Sequence, residues 1–434
     1  MPRPSGARRL HVFQNGRHVG ILNKASDGAI AFRYSADWLD APARNPVSIS
    51  LPLQAEPYRG DAVVNVFDNL LPDAPRVRRN VATRLGAAGL DTFSLLEAVG
   101  QDCVGALQFL SDESAPGTGE VEAEPLSEAD VADLLRNLRI NPLGNDPDGD
   151  FRLSLAGAQD KTALLYANGE WHRPVGPTAT THILKPAIGE LEGGIDMRDS
   201  VANEYLCLKL CEAFGLEVAK AEIVSFEDQT VLSVERFDRL WLGDGRLVRL
   251  PQEDLCQALS VPSTRKYQSE GGPGMVDILH CLRESDDPVQ DQTAFLRAQM
   301  VFWLIGATDG HAKNVSIAHT RSGFRLTPLY DVLSAQPAVD AGTLRRNRFK
   351  MAMTVGDNNR NRMDVVLPRH FQQTADRAGL PRDTVARLCA ELSSQIDEAN
   401  RVVAEARDPR IPSAIKISLA RRLENRTSHI RKME

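Results

Sequence analysis

Four polar side chains crowd into residues 303–315, WLIGATDGHAKNV: Asp309, His311, Lys313 and Asn314. Asp309 and Asn314 stand in a D-x-x-x-x-N spacing. A carboxylate can accept the proton of an attacking alcohol, and an amide oxygen five residues on can ligate a metal ion on a phosphate chain, which is how the catalytic loop of protein kinases is built. The spacing alone arises often by chance, so the surrounding residues decide its meaning. Two strand-like runs, 315–319 and 324–327, flank a turn at 320–323, and Asp331 follows at once in PLYDVLS. A hairpin there returns Asp331 beside Asn314, where a second hard oxygen ligand can hold Mg²⁺. The competing reading of Asp331 is a helix N-cap.

A phosphate chain also needs a cation. Lys185 closes the strand-like run 181–185, ahead of a helical stretch that carries Glu204. A strand lysine paired with a glutamate on the next helix fixes an ammonium for the α- and β-phosphates; an ordinary surface lysine is the alternative. Neither GxxxxGK(S/T) nor GxGxxG occurs, which disfavours P-loop and Rossmann enzymes. Residues 154–161, SLAGAQDK, are small and flexible around Gly157 and lie before a strand, as a phosphate-covering loop should, although by composition they pass for any turn.

The elements that position these residues fall into a β-rich part followed by an α-rich one. Runs 10–14 and 18–22 flank Asn15-Gly16, which predicts a β-hairpin with a type I′ turn. Further mixed elements, including residues 64–67, lead to a helix starting near Pro75 and a strand at 104–110. Residues 111–127, SDESAPGTGEVEAEPLS, offer little to bury and read as a surface linker. A helix is expected at 127–138, strands at 161–166, 181–185, 221–226 and 230–235, and a helix at 200–214. From residue 254 onward helices dominate, and 292–305 is apolar on every face, which predicts a helix through a core. The expected division is residues 1–112, a linker at 113–127, a β-rich lobe at 128–238 and a helical lobe at 239–434.

At 434 residues the chain exceeds one hydrophobic core. With 42% apolar and 25% charged residues it is globular in composition. A net charge of -7 argues against a surface coated in nucleic acid. Basic islands remain at 345–350 (RRNRFK) and over the last 34 residues, which hold nine Lys or Arg against four Asp or Glu; a solvated helix face and a phosphate-binding face are both open. The six cysteines form no CxxC pair, so neither a disulfide frame nor a zinc site is expected. No secretory signal is read at the N-terminus and no stretch is long enough to span a bilayer, so a cytoplasmic protein without a membrane partner is expected.

Taken together, FDNLLPD (67–73), GQDCVGALQF (100–109), LAGAQDKTALL (155–165), THILKP, NEYLCLKL, ERFDR, QEDLCQAL and WLIGATDGHAKN resemble, in order, the motifs of the HipA family of bacterial toxin kinases. The likeness runs from about residue 10 to about 390. It implies an α+β, protein-kinase-like two-lobe fold: a β-rich N-lobe with an additional N-terminal β-containing module, and an α-rich C-lobe. It implies ATP and Mg²⁺ as cofactors, Asp309 as catalytic base, Asn314 and Asp331 as metal ligands, and Lys185 on the phosphates with Glu204 as its partner. Ala156, Gly157, Ala158, Gln159 and Lys161 would form the phosphate loop. Glu235, Arg236 and Phe237 would form the hinge at adenine, largely through backbone, and His311, Lys313 and Tyr330 would line the nucleotide site.

The resemblance also implies that Ser154 becomes phosphorylated, which ejects the loop and silences the kinase; phosphate adds a charge of about -1.5 to -2 that cannot sit beside those of ATP. By sequence alone Ser154 and His311 are unremarkable loop residues. The implied activity is that of a Ser/Thr protein kinase toxin acting on a translation component such as glutamyl-tRNA synthetase. Its implied partner is a HipB-like helix-turn-helix antitoxin, through which operator DNA is mainly bound. A small-molecule phosphotransferase and a non-catalytic corepressor are the rival readings. Ala-Thr-Asp and Asp-Val-Leu replace the eukaryotic His-Arg-Asp and Asp-Phe-Gly, and no Ala-Pro-Glu is found, so eukaryotic activation-loop control is not expected.

Overall fold

The computed structural model describes residues 8–145, 152–191 and 194–433; the basic residues 1–7 lie outside it. Asn15 and Gly16 adopt φ of 47° and 76°, the two left-handed residues a tight hairpin requires. Strands Arg8–Gln14 and Arg17–Lys24 pair antiparallel around them. This hairpin is the middle of a five-stranded sheet completed by Ile30–Tyr34, Tyr58–Arg59 and Leu107–Leu110. The last of these starts three residues later than residues 104–110 suggest. Gly105 takes φ 75° and gives its N–H to Asp238 at 2.7 Å, which pulls the chain out of the ladder. Residues 64–67 lie in the helix Asp61–Asp68, whose Val63, Val66 and Phe67 pack with Phe32, Phe93 and Phe109 into this module's own core.

A second, six-stranded antiparallel sheet runs in the order Ala221–Phe226, Gln229–Glu235, His182–Pro186, Thr162–Ala167, Glu170–Pro174, Ala123–Pro125. The final edge strand comes from the segment read as linker: residues 123–125 pair with 172–174. Helices cover both faces. Glu128–Arg136, capped by Ser127, buries Val131 and Leu135 with Val231, while Ser200–Ala213 packs among Leu232 and Val234. Adjacent residues of one strand serve opposite faces, as the pleat dictates.

The helical part is organised around Pro288–Ile305. Asp287 caps its start, accepting from Gln290 N at 3.1 Å, with Pro288 in the first turn. Residues 298–305 are buried on every side, as the all-round apolar pattern demands. Met275–Leu282, Pro368–Arg377, Thr384–Glu405 and Ser413–Ile430 surround it in the largest core.

The basic C-terminal segment divides. Arg422 and Arg426, 6% and 7% exposed, turn inward. Arg422 donates to the carbonyls of Trp303 (2.7 Å) and Leu304 (3.2 Å) at the end of Pro288–Ile305, satisfying groups that a helix terminus leaves unpaired and complementing its dipole. Within the other island, Arg345, Arg346, Arg348 and Lys350 stay exposed and Phe349 is buried. All six cysteines are free. Among the described residues, no helix is long and apolar enough to cross a membrane.

Candidate active site

Gly306, at φ 77°, ends the central helix and releases the chain into the loop that carries Asp309. Gly310 keeps that loop against the helix, since a Cβ there would lie 2.6 Å from the Phe302 ring. The loop is tied to itself. The Asp309 carbonyl accepts from His311 N at 2.8 Å and from Asn314 Nδ2 at 2.9 Å. Because a carbonyl only accepts, the Asn314 amide must turn its nitrogen inward, leaving Oδ1 for a cation or donor. The Asp309 carboxylate, 45% exposed, faces His311 Nε2 at 3.8 Å. His311 is buried with neither ring nitrogen hydrogen-bonded, and burial lowers its pKa, so it is a neutral imidazole beside the carboxylate.

Across a cavity of about 360 Å³, Lys185 Nζ lies 2.7 Å from Glu204 Oε1 and 2.8 Å from Asp331 Oδ1. At 6% exposure Lys185 is no surface lysine. Asp331 caps no helix either, because the next one begins at Gln336. Its backbone is left-handed, φ 59°, a conformation costing non-glycine residues about 1–2 kcal/mol and tolerated best by Asp and Asn. Burial would raise the Asp331 pKa, but the ammonium groups of Lys185 and Lys161 outweigh it and hold the carboxyl well below the usual range. Glu204 is raised by its burial, with Lys185 opposing. Lys161 donates to the Ala156 carbonyl at 2.7 Å, and burial together with Lys185 pulls its pKa down to about 8.

The loop at 154–161 does not float over the cavity. Ser154 Oγ donates to the Leu70 carbonyl at 2.8 Å, Ser154 N to Asp102 O at 3.0 Å, and Asp73 N to Gly157 O at 3.0 Å. The N-terminal module therefore holds the loop inward, and Ser154 is fully buried. The same module reaches the loop that carries Asp309. Lys313 Nζ donates to Asn69 O and Oδ1 at 2.7 and 2.8 Å, and Asp73 bridges Lys313 (3.4 Å) and Lys266 (2.9 Å). Lys313 lines the cavity, but its ammonium is spent on these contacts and on Asp254 at 3.5 Å.

Beyond the strand Gln229–Glu235, Phe237 faces Tyr330 with ring centroids 5.9 Å apart, an apolar end for the cavity. Glu235 is exposed and pairs with Lys220 at 3.3 Å. Arg236 lines the cavity while its guanidinium points away, into a buried cluster. There Asp102 accepts from Arg236 (3.3 Å), Arg239 (2.8 Å) and Arg249 (3.0 Å), and Asp238 takes a second contact from Arg236 at 2.8 Å. Any nucleotide contact at Arg236 must therefore use its backbone.

Asp309, His311, Lys313, Asn314, Tyr330, Asp331, Lys185, Lys161, Gln159, the 156–158 turn and 235–237 all line this one cavity; Ser154 and Glu204 stand behind its wall. Sequence reasoning missed Lys266, Tyr267 and Asp73. Asp73 lies in the FDNLLPD motif, the only signal available, and Lys266 and Tyr267 lie in no motif. For a divalent ion, no three His, Cys, Asp or Glu side chains converge among the described residues. Mg²⁺ needs only one or two protein oxygens beside phosphates and water. An ionised Asp331 and the outward Asn314 Oδ1 fit that donor set.

Lys185→Met is expected to weaken Mg-ATP binding by roughly 10- to 150-fold, since hydrogen bonds to charged groups contribute about 1.5–3 kcal/mol. Titration calorimetry reads this directly, and a wild-type dissociation constant would remove Lys185 from the phosphate site.

Comparison with known proteins sets this geometry in context. The family model described as HipA-like C-terminal domain matches residues 153–400, and that described as HipA N-terminal domain matches residues 10–110. The Y4mE protein of Sinorhizobium fredii is 37% identical over 413 residues, 94% of each chain. The serine/threonine-protein kinase toxin HipA of Shewanella oneidensis is 27% identical over 394 residues, 88% of this chain and 86% of that one. A solved complex of Shewanella oneidensis HipA, HipB and operator DNA superimposes with TM-score 0.80 at 25% identity, covering 98% of this chain and 99% of that one. The two-lobe, kinase-like arrangement with an added N-terminal module is thus the fold of this chain.

Proposed function

Because the chain belongs to the HipA family, we propose that it is an ATP-dependent Ser/Thr protein kinase and the toxin of a toxin–antitoxin pair. The observation that carries this reading is the Lys185 ammonium held between Glu204 and Asp331 on the wall of the cavity that Asp309 and Asn314 also line. Lys185 and Lys161 bind the α- and β-phosphates. Asn314 Oδ1 and Asp331 would hold Mg²⁺, which when bound neutralises the β- and γ-phosphate charge. Asp309 accepts the proton of a Ser or Thr hydroxyl as its oxygen bonds to the γ-phosphorus; the bond to the β–γ bridging oxygen breaks and ADP leaves. Phe237 and Tyr330 receive the adenine end.

The acceptor in other proteins is a translation component such as glutamyl-tRNA synthetase, and its modification arrests growth. A HipB-like helix-turn-helix antitoxin is the partner, and operator DNA is bound mainly through it. The HipB and DNA named in the Shewanella complex support that reading.

Ser154 is the site of self-inactivation. Buried against Leu70, it can receive phosphate only after the loop undocks, and once charged it cannot return to that apolar seat beside the nucleotide site. Incubation with Mg-ATP is expected to add one phosphate at Ser154, mapped by mass spectrometry, and to make the 154–161 segment newly sensitive to limited proteolysis. Phosphate found only on added metabolites, and never on protein, would replace this reading with a small-molecule phosphotransferase.

A further inference from the structure

Tyr267 belongs to no motif and has no role in the reaction as described. Its hydroxyl donates a hydrogen bond to Asp309 Oδ1, and its ring meets His311 edge-on with centroids 4.8 Å apart. Burial and the adjacent carboxylate raise its pKa, so the phenol keeps the proton it donates. A protonated hydroxyl within hydrogen-bond reach of the base is the arrangement an acceptor alcohol must adopt before transfer. Tyr267 therefore stands where the acceptor must stand.

The placement is built from two sides. On one, the N-terminal module grips the segment before it: Asn65 Nδ2 donates to Ser260 O at 2.7 Å, Asn69 Nδ2 to Val261 O at 2.9 Å, Ser263 Oγ to Asp68 at 2.9 Å, and Lys266 to Asp73 at 2.9 Å. On the other, Gln268 Oε1 accepts from Thr354 N at 2.6 Å. With both flanks fixed, the phenol is aimed at Asp309 and not left to solvent.

Resting on the kinase reading above, we propose that Tyr267 guards the acceptor position: its hydroxyl fills the place of the incoming alcohol at Asp309, keeps water from that place, and yields it only to a hydroxyl carried on a docked protein surface. Water, small and unanchored, gains nothing by displacing a preorganised phenol. A protein acceptor brings binding energy from contacts remote from the hydroxyl. Tyr267 thus selects against futile hydrolysis and acts through Asp309 as a positioning residue.

The test compares wild type with Tyr267→Phe, which keeps the ring against His311 and removes only the hydroxyl. Two quantities are read on full-length protein: the dissociation constant for Mg-ATP by calorimetry, and the rate of phosphate release to water. The expected result is an unchanged dissociation constant and a hydrolysis rate raised roughly tenfold, the scale of one hydrogen bond to a charged group. Gln268→Ala, which frees the segment from Thr354, is expected to move hydrolysis in the same direction. Structural damage would lower the rate, so a gain is its own control. Hydrolysis equal to or slower than wild type in both variants, with ATP still bound, overturns the proposal and leaves the kinase reading intact. Phosphotyrosine at position 267 in wild type would show a substrate in place of a guard and overturn it too. Wild-type protein that binds no Mg-ATP overturns the kinase reading, and the guard with it.

Discussion

Asp309→Asn is expected to lower phosphate transfer by roughly 10²- to 10⁴-fold, the range that a positioned general base contributes, and to leave Mg-ATP binding near wild type. The asymmetry follows from where the carboxylate sits. Asp309 touches Tyr267 and faces His311 but has no contact with Lys185, Lys161 or Asp331, the groups read as binding phosphate. An amide of the same size can still accept the Tyr267 hydrogen bond, so the loop keeps its shape while losing its proton acceptor. Single-turnover labelling with [γ-³²P]ATP measures the loss, and expression in a host lacking an antitoxin should no longer stop growth. Transfer at the wild-type rate would strip Asp309 of its role and point to substrate-assisted chemistry.

The largest expected effect on stability lies far earlier in the chain, at the carboxylate of Asp102, which does not line the cavity. Asp102→Asn leaves Arg236 and Arg239 with Asp238 as their one carboxylate partner and takes from Arg249 the carboxylate it pairs with, all three arginines being under a tenth exposed. Breaking a buried charge network by removing one partner costs about 3–5 kcal/mol. The urea midpoint should fall accordingly, while Asp244→Asn, at the exposed pair with Arg246, should leave it unchanged.

The same cluster sets an acid limit. Burial would raise both carboxyls, but the guanidinium groups win, and Asp238 is pushed down to about 2. A depressed folded-state pKa gives stability that is complete above the unfolded value of about 3.9 and fades as pH falls through the folded one. Wild type should therefore lose stability between about pH 4 and 2, and Asp102→Asn should show a shallower acid transition. An unshifted midpoint together with an unchanged acid profile would mean that the guanidinium groups find other partners.

What the sequence revealed, and what it hid, follows from the distance over which each arrangement is made. Asp309, Asn314 and Asp331 sit on one loop and the hairpin after it, so their separation in the chain fixes their separation in space. Lys185 and Glu204 lie on a strand and the very next helix. Tyr267, Lys266 and Asp73 converge from places about two hundred residues apart, and no periodicity or turn signal connects them. Arg236 illustrates a different limit. Its strand-end position put it at the cavity, but the direction of its side chain depends on Asp102 as well as on Asp238, and the ERFDR motif holds only the second of these. Ser154 illustrates a third: by sequence alone it is an unremarkable loop serine, yet it is fully buried and tied to the Leu70 carbonyl and the Asp102 backbone. Basic composition left the C-terminal island open between a solvated face and a phosphate-binding one, whereas Arg422 is buried and donates to two carbonyls.

That last contact ties the order of synthesis to the completion of the central helix's end. Domains tend to fold as units while the chain is still emerging, N-terminal parts first. A nascent chain that has already extruded Asp309, Asn314 and Asp331 still lacks Arg422, so the carbonyls of Trp303 and Leu304 at the end of Pro288–Ile305 have no guanidinium to receive. The end of the central helix, from which the Asp309 loop departs, therefore gains these two hydrogen bonds only after the helix Ser413–Ile430 has been made.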